Sequence, residues 1–337
     1  MAVLTGLDRL ARGDERALRL LRGRRVGLLA HPASVDRRLR HARDLLAGAS
    51  AEEVALFGPE HGFAGEAQDM VGVGHAASGE GPRIHSLYGA TEAELRPRPE
   101  QLEGLDAVVV DLQDVGARYY TFVWTAALML EAAAKLGVQT VILDRPNPLG
   151  GEVVEGAPQR PGYRSFVGLY DVSVRHGLTI GELAGLAADE LGLPAEALEV
   201  VRMEGYRRSM RWEDTGLPWV PPSPNMPTVD TARVYPGGCL VEGTRMSEGR
   251  GTTRPFEVWG APFVDGRRLA EEVTIEGAAL RPLSFQPTFQ KHAGAFCGGV
   301  QVHVTDAARF RSYEAYLRLI ASALLLDPSR VAWRAEA

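Results

Sequence analysis

The feature that most restricts the fold is a rhythm in the first half of the chain. Four short apolar runs recur there: Val26–Ala30 (VGLLA), Val54–Phe57 (VALF), Ala107–Leu112 (AVVVDL) and Val138–Asp144 (VQTVILD). Each is apolar along nearly its whole length instead of alternating, the pattern of strands buried on both faces of a parallel sheet. Tyr120–Leu136 (YTFVWTAALMLEAAAKL) reads as a long apolar helix between two of them, with Gly137 placed to cap its C-terminus. Strand, helix, strand in this order predicts an α/β fold, a Rossmann-like, doubly wound domain with a mostly parallel sheet.

The residues just past each run are as informative as the run itself. His31-Pro32 comes after the first, GPEHGF after the second, DLQDVGARYY after the third and DRPNPLGG after the fourth. Polar residues therefore gather at the carboxyl ends of all four candidate strands, the edge at which open α/β sheets build their sites. Thr179-Ile180-Gly181-Glu182 is a capping-box pattern that opens another helix, and Leu198–Met203 is a further short apolar segment. Residues 211–228 (RWEDTGLPWVPPSPNMPT) are rich enough in Trp and Pro to be largely irregular. Beyond them PFEVWGAPFV, LSFQPTFQ and GGVQVHVT read as strands and ARFRSYEAYLRLIASALLLD as an amphipathic helix. The expected organisation is a Rossmann-like domain over residues 1–231 and a smaller α+β domain over 232–337.

Composition narrows the function. With 37 basic and 43 acidic residues the net charge is −6, which disfavours nucleic acid as a partner. No apolar run approaches the ~20 residues that span a bilayer, so no membrane partner is expected. The N-terminal stretch carries acids among its bases; Leu4, Leu7, Leu10, Leu18 and Leu21 fit a surface helix better than a secretory signal, so the expected location is cytoplasmic unless a leader has been removed. Cys239 and Cys297 form no disulfide framework or zinc pattern. The standard phosphate-loop, nucleophile-elbow and zinc-helix motifs are absent, and the Gly72/Gly74 pair, which no strand precedes, is a weak dinucleotide signal. No cofactor is expected, and the sequence leaves the oligomeric state open.

Each candidate residue has a plain structural reading beside the functional one. Glu60 and His61 could simply satisfy loop amides and cap a strand, but flanking glycines let a ligand approach the backbone, and a carboxyl in a partly dry cleft can act as general acid. Asp111 could cap a helix, Asp114 and Arg118 could be a helical ion pair, and Tyr119 and Tyr120 could be packing; with Gln113 they could equally wall a sugar site. Arg145 and Asn147 lie in a stiff Pro-bounded turn that suits pre-organised binding or an ordinary bend. Arg175 and His176 precede a helix start, where a bound anion would offset the unfavourable cation. Arg250 and Arg254, in a Gly/Thr-rich segment, could fork onto a carboxylate. A metal-assisted hydrolase using His31, His61, Asp111 and Asp144, and a non-catalytic sugar binder, are the competing readings.

Six segments in order, FGPEHGF, DLQDVGARYYTFVWT, DRPNPLGG, VRHGLTIGELA, PPSPNMPT (with Asn225) and VEGTRMSEGRGTTRPFEVWGAPF, resemble one bacterial family, formerly a domain of unknown function, associated with exo-β-N-acetylmuramidases. The resemblance implies a Rossmann-like domain, a smaller C-terminal domain and a site between them. It also implies release of N-acetylmuramic acid from the non-reducing end of peptidoglycan fragments, with Glu60 as the catalytic residue. A small muramic-acid-containing saccharide is the partner it implies. His61, Asp111, Gln113, Arg118, Tyr119 and Tyr120 occupy matching motif positions. On this reading Asp111 or Asp114 is the candidate for a second carboxylate, with Tyr119 or Tyr120 as a substitute. His61 orients Glu60, and Arg250, Arg254 or Arg175 could grip the lactyl carboxylate. Members tend to continue past Val331–Arg334, so the second domain is expected to be incomplete at its end.

Overall fold

A computed structural model describes residues 2–49, 51–65, 82–89 and 91–334; Gly72 and Gly74 lie outside them. Six strands, β1 (Arg25–Ala30), β2 (Glu52–Gly58), β3 (Arg83–Ser86), β4 (Ala107–Asp111), β5 (Gln139–Leu143) and β6 (Leu198–Val201), form one sheet in the order β3-β2-β1-β4-β5-β6. All of its pairings are parallel. The four apolar runs are its β1, β2, β4 and β5, and β4 is buried along its whole length. Edge strand β3 is short and polar (RIHS), too weak a pattern for its sequence to declare it.

Side chains leave the sheet alternately to two cores. Val108, Val110 and Ile142 pack with helix α1 (Phe122–Lys135) and helix α2 (Ile180–Glu190) on one face. Leu28, Leu56, Val109 and Val141 pack on the other face with Leu7, Leu10 and Leu21 of the N-terminal segment. That segment is two short helices, Gly6–Ala11 and Glu15–Arg19, and not one, because Gly13 turns left-handed (φ 83°) and Asp14 caps the second. Gly137 (φ 71°) ends α1 as its sequence suggested, and Thr179 and Glu182 close both arms of the capping box at α2.

A second sheet holds β7 (Val258–Ala261), β8 (Ala278–Phe285) and β9 (Cys297–Val304), antiparallel in the order β7-β9-β8. The strands within PFEVWGAPFV and LSFQPTFQ are thus shorter or displaced relative to the expectation. Three helices accompany it: α3 (Val229–Gly238), α4 (Gly266–Glu272) and α5 (Ser312–Leu326). Pro236, Gly237 and Gly238 are poor helix formers, and tertiary contact holds α3: Ser312 Oγ accepts from Gly237 N (2.9 Å) and donates to Val234 O (2.8 Å). The expected boundary at 231/232 falls inside α3, and we propose that the second unit begins with this helix. The units are tied by Glu155, whose carboxylate accepts from Arg175 Nη1 (2.9 Å) and from Tyr313 N at the start of α5 (3.0 Å). Among the described residues no helix is long and apolar enough to cross a membrane.

At the β5–α2 junction, Asp144 accepts from Gly181 N (2.9 Å) and Thr179 Oγ1 (3.1 Å). Burial outweighs these bonds and pushes its carboxyl up from 3.8 to about 6. With the folded value above the unfolded one, stability is greatest below pH 3.8 for this group and declines as pH rises through 6, by about 3 kcal/mol in all. Asp144→Asn is expected to flatten this part of the stability profile between pH 4 and 6, as read by urea unfolding across that range.

Candidate active site

The GPEHG loop is shaped by close contact before any chemistry enters. A Cβ on Gly58 would sit 2.3 Å from Phe63 N, so β2 must end on glycine. Gly62 N then donates to Pro59 O (3.0 Å), and His61 and Gly62 are both left-handed (φ 72° and 83°). The turn directs Glu60 into a cleft of about 190 Å³, where its side chain is buried and Oε2 accepts from Thr121 Oγ1 (2.7 Å). Thr121 precedes α1, so this bond joins the loops at the ends of β2 and β4.

The cleft lies between the two units, and its apolar part is a run of rings. Tyr120 packs on Phe122 (4.6 Å between centroids) and meets Tyr235 of α3 edge-on (6.1 Å, 88°); Tyr235 meets Phe256 (4.8 Å, 83°), and the Arg250 guanidinium lies over Phe256 (5.0 Å). Burial pushes the Tyr120 phenol well up, and the negative charges of Glu60 and Asp114 add to this against the influence of Ser223. Burial also raises Tyr119 and Tyr235. These phenols therefore keep their protons, and Tyr120 is the one that lies near Glu60.

Of the residues singled out from sequence, Glu60, His61, Tyr119, Tyr120, Asn225 and Arg250 line this cleft. The others hold the scaffold behind it. Asp111 is fully buried and bidentate to Arg145 (Oδ1–Nε 2.5 Å, Oδ2–Nη2 2.7 Å). Gln113 Nε2 donates to the carbonyls of Asp114 and Pro146, and Asn147 Nδ2 to that of Leu178. Asp114 accepts from Gly116 N (2.8 Å) and lies 3.2 Å from His176 Nε2. Arg118 donates to the carbonyls of Ala157 (3.0 Å) and Val172 (2.6 Å), fixing the loop that brings Phe166 to the cleft. Arg175 is committed to Glu155 and to Leu149 O, so no anion is needed to explain it. Arg254 is half-exposed beside Glu257 and outside the lining.

The strand order reverses between β1 and β4, the crevice where such sheets usually take a nucleotide. Here the chain fills it. His31 Nε2 accepts from Gln113 N (2.9 Å), so Nδ1 carries the proton and donates to Pro222 O (3.2 Å) in the Trp/Pro-rich segment. Burial, helped by the Arg145 charge, holds His31 well below its usual pKa and thus neutral. Trp212 and Leu217 close over Gln113 and Arg145, leaving a void of about 10 Å³. The metal-assisted alternative fares poorly for the same reason. Its Asp111 is committed to Arg145 and its His31 to two backbone groups, and among the described residues no three His, Cys, Asp or Glu side chains converge as a ligand set.

Among the lining residues that the sequence reading did not assign to the site are Thr121, Ser223, Tyr235 and Glu242. Thr121 adjoins the doubled tyrosine and Ser223 stands two residues before Asn225. Glu242 opens the very segment read for its arginines, and its Oε1 accepts from Arg250 Nη2 (2.6 Å).

Fold and cleft together define a Rossmann-like α/β protein with a carboxylate-bearing, aromatic-floored site between two units. The chain belongs to the exo-beta-N-acetylmuramidase NamZ family: its N-terminal model matches residues 26–230 and its C-terminal model residues 233–337. It is 45% identical over 324 residues to the peptidoglycan beta-N-acetylmuramidase NamZ of Bacillus subtilis (strain 168), covering 94% of this chain and 76% of that protein. Two crystal structures of DUF1343 family proteins from Bacteroides fragilis are similar. One is 34% identical with a TM-score of 0.87 (98% of this chain, 84% of the other), the second 28% identical with a TM-score of 0.74 (97% and 84%).

Because Asp111 is wholly buried, removing its partner strands a carboxylate. Arg145→Ala is expected to lower unfolding free energy by about 3–5 kcal/mol, measured by denaturant titration.

Proposed function

We propose that the protein is an exo-acting glycoside hydrolase that releases N-acetylmuramic acid from the non-reducing end of peptidoglycan fragments, with Glu60 as general acid. The observation that carries this reading is the position of Glu60: an enclosed carboxyl on a loop with little conformational freedom, held by Thr121 and lining an aromatic cleft with Tyr120 nearby. The substrate class is taken from the B. subtilis relative, whose name gives peptidoglycan as its substrate.

Cleavage requires a proton on the leaving glycosidic oxygen and stabilisation of the positive charge that develops at the anomeric carbon. Glu60 supplies the proton, and the Thr121 hydroxyl fixes which carboxyl oxygen faces inward. His61, forced by its backbone to the cleft side of the same turn, orients the sugar beside it. Tyr120 walls the sugar site, and Asn225 donates to the acetamido group. Of the arginines considered for the lactyl carboxylate, Arg250 lines the cleft, whereas Arg175 and Arg254 lie elsewhere. The aromatic floor offers apolar faces to the sugar ring.

Glu60→Gln is expected to cut release of the aglycone from a chromogenic β-N-acetylmuramide by about 10²–10⁴-fold with an unchanged melting temperature. Near-normal turnover would remove Glu60 from the role. Arg250→Ala is expected to narrow the preference for the muramide over the matching glucosaminide, compared through kcat/KM for the two substrates.

A further inference from the structure

Hydrolysis of a glycoside needs a second group on the side of the attacking nucleophile. Asp111 and Asp114, the acids first considered for it, are held within the scaffold. Among the described residues lining the cleft, the carboxylates are Glu60 and Glu242. Glu242 sits in the 3₁₀ turn Cys239–Gly243 that continues α3, on the second unit, facing the unit that carries Glu60.

Its surroundings are built to hold it. Lys291 Nζ donates to the carbonyls of Val241 (3.0 Å), Glu242 (3.3 Å) and Thr244 (3.2 Å), fixing the turn from behind. Arg250 Nη2 donates to Glu242 Oε1 (2.6 Å) and is itself backed by Glu248, which lies 3.4 Å from Arg250 Nε and 2.8 Å from Lys291 Nζ. Two cations and two anions thus form one balanced cluster. Within it the Glu248 and Arg250 side chains are 1% and 6% exposed and Lys291 17%, whereas Glu242 is 36% exposed. Glu242 is the member that reaches the solvent of the cleft. The two cleft carboxyls therefore have opposite settings: Glu60 is enclosed with a hydroxyl on it, and Glu242 is solvated with a guanidinium on it. Two carboxyl groups on facing walls of one cleft are the arrangement that a glycosidase's acid and base require.

We propose that Glu242 is the second catalytic carboxylate, the base that receives the proton of the attacking water; this rests on the glycosidase reading of the cleft. Water oxygen bonds to the anomeric carbon as the glycosidic C–O bond breaks, its electron pair leaving with the aglycone oxygen. Glu60 gives its proton to that oxygen, one water proton passes to Glu242, and exchange with solvent restores both. Arg250, Glu248 and Lys291 are positioning residues for Glu242.

The test compares Glu242→Ala, Glu242→Gln and Glu60→Gln with the unaltered protein on a chromogenic β-N-acetylmuramide, with and without sodium azide. Glu242→Gln can keep a hydrogen bond to Arg250, so it decides the matter if the alanine variant fails to fold. Both Glu242 variants are expected to lose about 10²–10⁴-fold in kcat. Azide, which needs no base, is expected to restore Glu242→Ala at least about tenfold, the order of a minimal share of that loss, and to yield the α-glycosyl azide. Retention of more than about a tenth of wild-type kcat by the Glu242 variants, or azide that neither accelerates Glu242→Ala nor is incorporated, would overturn the assignment while leaving Glu60 in place. A wild-type protein inert towards the muramide is a distinct result: it would sink the glycosidase reading and this inference with it.

Discussion

A single neutral imidazole sets the architecture of the working face. His31, just past β1, accepts the amide hydrogen of Gln113 after β4, while its other nitrogen donates to Pro222 in the Trp/Pro-rich segment. Three stretches far apart in sequence are joined by one ring that must carry its proton on Nδ1. Protonation of Nε2 would set two donors against each other, and burial next to Arg145 already opposes that charge. The adjacent Asp111–Arg145 pair completes the plug at the point where the strand order reverses.

That plug moves the site. A doubly wound sheet ordinarily binds at the switch point, and here the crevice is occupied by the protein itself. Ligand space opens instead over the tips of the β2 and β4 loops, where the second unit supplies the far wall. Tyr120, Tyr235 and Phe256 make the wall continuous across the junction of the units. The cleft therefore depends on a relation between two units, with Glu60 on one and Arg250 on the other.

The sheet was largely legible because strands buried on both faces leave uninterrupted apolar runs. Edge strand β3 was not, since a half-buried polar tetrapeptide carries no such run. Helix α3 was hidden by Pro236 and two glycines, which only its contact with Ser312 overrides. The edge of the sheet that carries the site could be found from sequence, but the division of labour along it could not. Arg145, Asn147 and Arg175 are the types of side chain that grip a sugar, and the same donors serve equally to satisfy buried carbonyls and carboxylates. Glu242 was passed over because its neighbours' positive charges drew attention, and its place in the cleft depends on a turn that no local pattern announces.

His61 carries a different lesson. A left-handed backbone at a residue with a Cβ costs roughly 1–2 kcal/mol, and glycine would relieve it. The turn between Pro59 and Gly62 is closed by its own backbone bond, while the imidazole meets Phe122 edge-on (6.4 Å between centroids) and lines the cleft. Glycine at residue 61 would relax the loop but forfeit the ring's contact with Phe122 and open the cleft wall, so relief of strain and loss of packing would oppose each other in the measured stability.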